Sequence, residues 1–435
     1  MPLLENRIWS LNEENEIATK QIWAILLKQF GYDLDNFTFE DLEKPHNFVA
    51  SKSPNALPKL ASTSILQDLA SVSEKTQKVY SSLNGEAKFV FGDLDTSVKV
   101  PQKDSLASLK KYNSSQLHQS FLGSLRNDSP DNEILRFARA RKFHVVPAVE
   151  MAAACMAWKV ESHQVNKWVM EGDAPLAFSK KYPELIRAFQ MEKVFFRGRG
   201  KNGGLICIVR VKDHFGSDCP EKDFQRLICL VIEYAKFSSR SYSNGVDGIN
   251  ILFDMSGFSL KNADLTAVSF LAKAFEANYP ESLSCIWIHQ APWVFNAVWK
   301  IIKGWLDPAV TAKIQFTKSF SDLETLVDKK YIPKHLGGLD DFIPQYVPPT
   351  VENSGVLPAD ENSAKLINQR HHLLLAFIDS TIAWIQAKTT EESTKFLNAK
   401  IQLGGELAEN YVRLDPYIRS RGPFDRDGTL SDVGI

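Results

Sequence analysis

Between residues 193 and 317 the hydrophobic pattern switches repeatedly between two periods, and few folds accommodate that alternation. Short runs dense in β-branched and aromatic residues read as strands: KVFFR from Lys193, GLICIVRV from Gly204, INILFDM from Ile249 and LSCIWIHQ from Leu283. Between them, DFQRLICLVIEYAKFSSR from Asp223 and ADLTAVSFLAKAFEANY from Ala263 read as helices, and KIQFT from Lys313 is a last short strand. Strand and helix in alternation predict a largely parallel α/β sheet. Strands that are almost continuously apolar predict that both sheet faces are covered.

Pro292 to Lys313, PWVFNAVWKIIKGWLDPAVTAK, predicts a proline-bracketed helix that is too apolar for a surface position. At helical spacing Val294, Val298, Ile301 and Trp305 form one stripe, and Phe295, Trp299, Ile302 and Leu306 form a second beside it. Only Asn296, Lys300 and Lys303 make a clearly polar strip, so the apolar arc is wider than one core requires. Two readings stay open: a central core helix, or a lid over an apolar cavity.

Upstream, Ile17, Ile22, Ala24, Ile25, Leu27 and Phe30 predict a helix over about 14–30 that Gly31 ends and that docks on something later in the chain. The segment 48–119 is rich in Ser, Lys and Asn, with Pro54, Pro58 and Pro101, and reads as a poorly ordered linker with short helices. Ser129-Pro130-Asp131 opens a helix running to Phe143, and further helices follow from Val146 to Trp158 and from Pro183 to Phe189. Past YIPKHLGG and a proline-rich loop, two long helices are predicted over about 364–387 and 391–412, packing against the sheet. The expected organisation is a helical segment at 1–47, the linker, a helical bundle at 120–190, an α/β domain at 191–342 and a helical extension at 343–435.

A formal net charge of −1 argues against a nucleic-acid binder, which concentrates Lys and Arg to neutralise phosphates. Cys155, Cys207, Cys219, Cys229 and Cys285 show neither a CxxC pair nor zinc-ligand spacing, and read as reduced thiols in a cytosolic protein. MPLLENRIWS lacks the basic start and apolar run of a signal peptide, and no segment offers about 18 uninterrupted apolar residues. Gly198, Gly200 and Gly203 formally match a dinucleotide fingerprint, but a strand follows where a helix is required, so the stretch reads as a hairpin turn. His289 reads as a hydrogen-bonded core histidine, and Asp254 as the cap of the turn at Ser256-Gly257. No acid, base and nucleophile set can be assembled. The basic run Arg136, Arg139, Arg141 and Lys142 fits a solvated helix face, although Arg and Lys are also what phosphate recognition uses.

From about Asp131 to Phe342, EILRFARARKF, GRGKNGG, INILFDMSGFS, YPESL, APWVFNAVWKIIKGWLDPAVTAKI and YIPKHLGG follow in order. Together they resemble the CRAL-TRIO lipid-transfer family, and within it the fungal phosphatidylinositol transfer proteins. The ending ENYVRLDPYIRSRGPFD and the opening helix are similar to the CSR branch of that group. The resemblance implies a helical bundle beside an α/β bowl, with the sheet as floor and a mobile helix, here Pro292–Leu306, closing the mouth. It implies that Arg141, Lys142, Glu281 and Lys313 contact the inositol phosphate, and that Ile249, Ile251, Phe253, Phe295, Val298, Trp299, Ile302 and Leu306 form the apolar cavity and gate. Members that also carry phosphatidylcholine place hydroxyl residues where this chain has Ile249 and Ile251, which puts choline-lipid binding in doubt and favours a second, more apolar lipid such as a sterol precursor.

The function so implied is a non-enzymatic, monomeric, cytoplasmic lipid carrier without a cofactor. It would touch membranes such as endosomes, endoplasmic reticulum or lipid droplets transiently and present phosphatidylinositol to a lipid kinase. A second class is a lipid-gated interaction protein whose terminal helices bind a partner. An enzyme using the same cavity would need catalytic residues that the sequence does not offer.

Overall fold

The computed structural model describes residues 4–35, 37–57, 73–84, 106–238 and 245–432. They fall into two compact units, the first from Met1–Lys167, Arg240–Gly245 and Leu357–Ile418, the second from Trp168–Ser239, Val246–Val356 and Arg419–Ile435.

The first unit is helical and centred on α1 (Glu13–Phe30). Asn12 caps its start by accepting the Asn15 amide at 2.8 Å, and Gly31 ends it at a φ of 98°, a conformation that favours glycine. Ile22 to Leu27 are all buried, so α1 is enclosed on all sides. Around it stand α2 (Ser114–Ser124), α3 (Pro130–Ala140), α4 (Val145–Glu161) and the first of two long C-terminal helices, Glu361–Gln386, which pairs with the second, Thr390–Ile418. Buried polar groups tie these segments together. Lys400 Nζ lies 2.7 Å from Asp131 Oδ1, both side chains fully buried, and the same carboxylate oxygen accepts from Trp23 Nε1 at 2.9 Å. Lys20 donates to the carbonyls of Val49 and Trp384 and to Ser393 Oγ, and burial lowers its pKa to about 7.

The structure redraws several expected boundaries. Residues 58–72 and 85–105 of the expected linker lie outside the described residues, but its end is an ordered helix: α2 begins at Ser114, and its Leu117, Phe121 and Leu122 are buried. Serines made this stretch look linker-like, yet Ser120 Oγ donates to the Met156 carbonyl at 2.7 Å, so here serine is an interior residue. The helix Pro183–Gln190, expected in the bundle, belongs to the second unit, where Phe189 stacks on Tyr346. The expected C-terminal extension is likewise divided. Residues from Arg419 onward join the second unit through Arg426, which pairs with Asp173 at 2.6 Å, and Phe424, packed on Phe196.

The second unit holds a five-stranded sheet in sequential order: β1 (Val194–Arg199), β2 (Leu205–Arg210), β3 (Ile249–Asp254), β4 (Leu283–His289) and β5 (Ile314–Thr317). β1 and β2 are antiparallel and every later pair is parallel. The glycine-rich stretch is the β1–β2 connection, and a Cβ on Gly198 would collide with the Tyr331 ring. Helices α5 (Glu221–Lys236) and α6 (Leu265–Lys273) are the crossovers before β3 and β4. Side chains alternate across the sheet. Ile206, Ile208, Leu252 and Trp287 pack against Leu323, Val327, Ile332 and Leu336, while Cys207, Ile249, Ile251, Phe253 and Ile288 face the other way. That second face is covered by a cavity.

Candidate functional site

The cavity has a volume of about 240 Å³ and is bounded by the sheet, α5, α6 and α7 (Phe295–Lys303). Ile249, Ile251 and Phe253 enter it because they share one face of β3, and Phe295, Val298, Trp299, Ile302 and Leu306 enter it from the opposite wall. All eight residues that the resemblance assigns to cavity and gate thus line this one cavity. Cys207 also lines it, and burial pushes that thiol up to about 12, so it stays protonated.

The expected helix Pro292–Lys313 is shorter than its hydrophobic pattern. α7 stops at Lys303, Gly304 caps it, and Asp307 then caps a separate turn at Pro308–Thr311 by accepting the Ala309 amide at 2.7 Å. The proline at 308 lacks the N–H that a continuous helix requires, so the chain breaks where the stripes ran on. The two stripes differ in exposure, although Val298 of the first is buried with the second. Phe295, Val298 and Ile302 are buried, with Phe295 edge-on to Phe258 and Trp299 edge-on to Phe316. Ile301 and Trp305 point outward at 46% and 43% exposure, joined by Trp293 at 82%. The cavity face of α7 is thus apolar, while its outer face mixes Ile301 with Asn296, Lys300 and Lys303 and is flanked by the exposed Trp293 and Trp305.

The assigned headgroup residues are divided between the units. Glu281 and Lys313, in the second, sit immediately before β4 and before β5, at the edge where these parallel strands begin, with Lys313 Nζ 3.8 Å from Glu281 Oε2. Arg141 and Lys142, in the first, lie beyond the end of α3. The expected helix to Phe143 ends at Ala140, and Lys142 and Phe143 take φ values of 50° and 60°. The basic run is therefore no helix face. Arg136 is buried beside Glu133, Arg139 donates to the Asn6 carbonyl, and Arg141 and Lys142 occupy the turn. Glu281 also has a positive φ, 53°, and such a backbone costs about 1 kcal/mol or more in a residue with a Cβ. Strain of this kind concentrates at binding sites.

Two polar residues singled out from the sequence have structural partners. His289 is fully buried with Nδ1 2.9 Å from Thr317 Oγ1. Asp254 accepts from the Ser256 amide and hydroxyl and, at 2.9 Å, from His335 Nε2, which ties the YIPKHLGG segment to the end of β3. A polar cluster escaped the sequence reading because its members are far apart in the chain. Lys193 Nζ lies 3.0 Å from His214 Nδ1 and 2.9 Å from Asp218, and His214 Nε2 lies 3.1 Å from Asp264 Oδ2. Burial and the adjacent ammonium hold His214 below the ordinary imidazole range, so its neutral ring accepts from Lys193 and donates to Asp264. The only signal in the sequence was their position, just outside strand or helix ends.

An apolar cavity enclosed between a mostly parallel sheet and α5, α6 and α7 makes an α/β bowl suited to an apolar ligand, and the comparisons point to a class with that fold. The CRAL/TRIO domain family matches residues 189–338. The chain is 35% identical to the phosphatidylinositol transfer protein CSR1 of Eremothecium gossypii, over 98% of each chain. It is 30% identical to the CRAL-TRIO domain-containing protein C3H8.02 of Schizosaccharomyces pombe, over 99% of this chain and 94% of that one. To the Sec14 cytosolic factor of the same yeast it is 26% identical, over 48% of this chain and 74% of the other. The protein belongs to the CRAL-TRIO family.

Proposed function

We propose that this protein is a lipid carrier, not an enzyme, which binds phosphatidylinositol and a second, more apolar lipid in one cavity and exchanges them at membranes. The observation that carries this reading is the cavity: its wall is apolar except at one end, and it is roofed by a helix whose inner face is apolar and which is flanked by the exposed Trp293 and Trp305. Likeness to a phosphatidylinositol transfer protein along almost the whole chain supports the choice of ligand. Arg141, Lys142 and Lys313 are assigned to the inositol phosphate, with Glu281 accepting from a ring hydroxyl or orienting Lys313. A buried phosphate without cationic partners would be prohibitively costly. The lipid-binding domain is placed at 191–342. A cytoplasmic carrier that unloads phosphatidylinositol at a membrane also supplies the lipid kinases acting there.

Vesicle-to-vesicle transfer tests the assignment. Arg141→Ala with Lys313→Ala is expected to abolish phosphatidylinositol transfer while stability changes by no more than about 0.5 kcal/mol per site, as for ordinary surface residues. Transfer at the unaltered rate would place the headgroup elsewhere.

A further inference from the structure

Four aromatic rings follow one another across α7. Phe258 lies edge-on to Phe295 at 5.6 Å between ring centres, Phe295 stacks on Trp299 at 6.4 Å, and Trp299 lies edge-on to Phe316 at 5.2 Å. The middle two rings belong to α7. The outer two belong to the turn after β3 and to β5, strands that lie on opposite sides of β4 in the sheet. An edge-to-face pair therefore holds the helix from each direction.

The two holds are unequal. Toward β3, Phe258 is 8% exposed and packs in one buried cluster with Met255, Phe295, Val298 and Ile302, with Leu265 and Val268 of α6 against it. Toward β5, Phe316 is 47% exposed, so its contact with Trp299 withdraws little of the ring from water. β5 is also the last strand of the sheet, with β4 as its one strand neighbour among the described residues. The carbonyls of Lys313 and Thr317 accept from the amides of Ile286 and Gln290 on the β4 side. Backbone groups of the alternate residues, Ile314 and Phe316, therefore turn to the open edge.

We infer that lipid enters and leaves the cavity through the seam between α7 and β5, and that Phe316 is the positioning residue that keeps this seam shut. The seam leads inside, because Ile314 of β5 lines the cavity opposite Trp299, Ile302 and Leu306. Freeing α7 on this side gives up one half-exposed ring contact, whereas freeing it on the other breaks up a buried cluster. The seam also has a polar lip. Lys313 stands directly before Ile314, outside the cavity wall, with its Nζ 3.8 Å from Glu281, and the open backbone groups of β5 continue that lip. A phospholipid whose chains pass this seam keeps its head among polar groups and never draws it across the apolar wall.

This inference rests on the reading that α7 closes a lipid cavity, and the experiment separates the two. Full-length protein loaded with deuterated phosphatidylinositol is mixed with excess vesicles containing the unlabelled lipid, and mass spectrometry follows both the loss of label and the total lipid per chain. Phe316→Ala is expected to speed exchange about two- to tenfold, the worth of one edge-to-face pair, with total lipid unchanged. Phe316→Tyr, which keeps the ring, should restore the slow rate. An unaltered rate in Phe316→Ala, or a loss of bound lipid in its place, overturns the role of Phe316. Cross-linking then locates the opening. Of the native cysteines only Cys285 is partly exposed, so Cys285→Ser serves as the background. Trp299→Cys with Phe316→Cys, and separately Phe258→Cys with Phe295→Cys, are joined by a short bifunctional maleimide, and each variant is compared with itself before and after the reagent. Joining 299 to 316 should stop exchange, and joining 258 to 295 should not slow it further. The reverse result, or a stop in both variants, overturns the seam and leaves α7 as the closing helix. Undiminished exchange in both cross-linked variants overturns the closing role of α7 itself.

Discussion

A phosphocholine head drawn into the cavity would meet Ile249 and Ile251, which face it from β3 and are 3% and 5% exposed. Neither side chain can hydrogen-bond, and a buried polar group left unpaired costs about 1 to 3 kcal/mol. A factor of ten to a hundred against phosphatidylcholine is therefore expected from these two positions. Ile249→Ser with Ile251→Thr should shift preference toward phosphatidylcholine, read as the ratio of the two phospholipids moved between vesicles. The isoleucines were legible as apolar from the sequence, and the alternation of β3 was enough to put both on one face with Phe253. The polar end of the cavity was not legible, because Lys193, His214 and Asp264 come together only when β1, β2 and α6 take their places.

At the scale of elements, α7 carries the mechanical argument. Its inner face of Phe295, Val298 and Ile302 is buried, and its outer neighbourhood leaves Trp293, Ile301 and Trp305 in water. Burying a large apolar side chain gains about 1.5 to 3 kcal/mol, so a bilayer offers this outer face several kcal/mol that water does not. Trp293→Ser with Trp305→Ser is expected to slow transfer between vesicles several-fold while the lipid content of the purified protein stays near that of the unaltered chain. Equal loss of content and rate would show that these side chains hold the cavity together instead. The two stripes were visible in the sequence as an over-wide arc, but which stripe faced inward was not, because periodicity fixes spacing and says nothing about what lies opposite. The helix end was marked by Gly304 and Pro308, and the hydrophobic run across them hid it. The strand and helix alternation, by contrast, translated directly into the sheet, since parallel strands with crossover helices leave few other arrangements.

At the scale of the molecule, each unit has its own interior, and of the four residues assigned to the headgroup Arg141 and Lys142 belong to the first and Glu281 and Lys313 to the second. The helical unit is held by buried pairs such as Lys400–Asp131, and such contacts join α3 to a helix some 270 residues later, which no local pattern reports. The apolar cavity remains the feature on which the functional account depends, and what fills it is directly measurable. Mass spectrometry of lipids extracted from the protein purified from a eukaryotic host, counted against protein, should find phosphatidylinositol together with a second, more apolar lipid, about one lipid per chain in total, and little phosphatidylcholine. Protein recovered without lipid, or carrying phosphatidylcholine as its main ligand, would contradict the account.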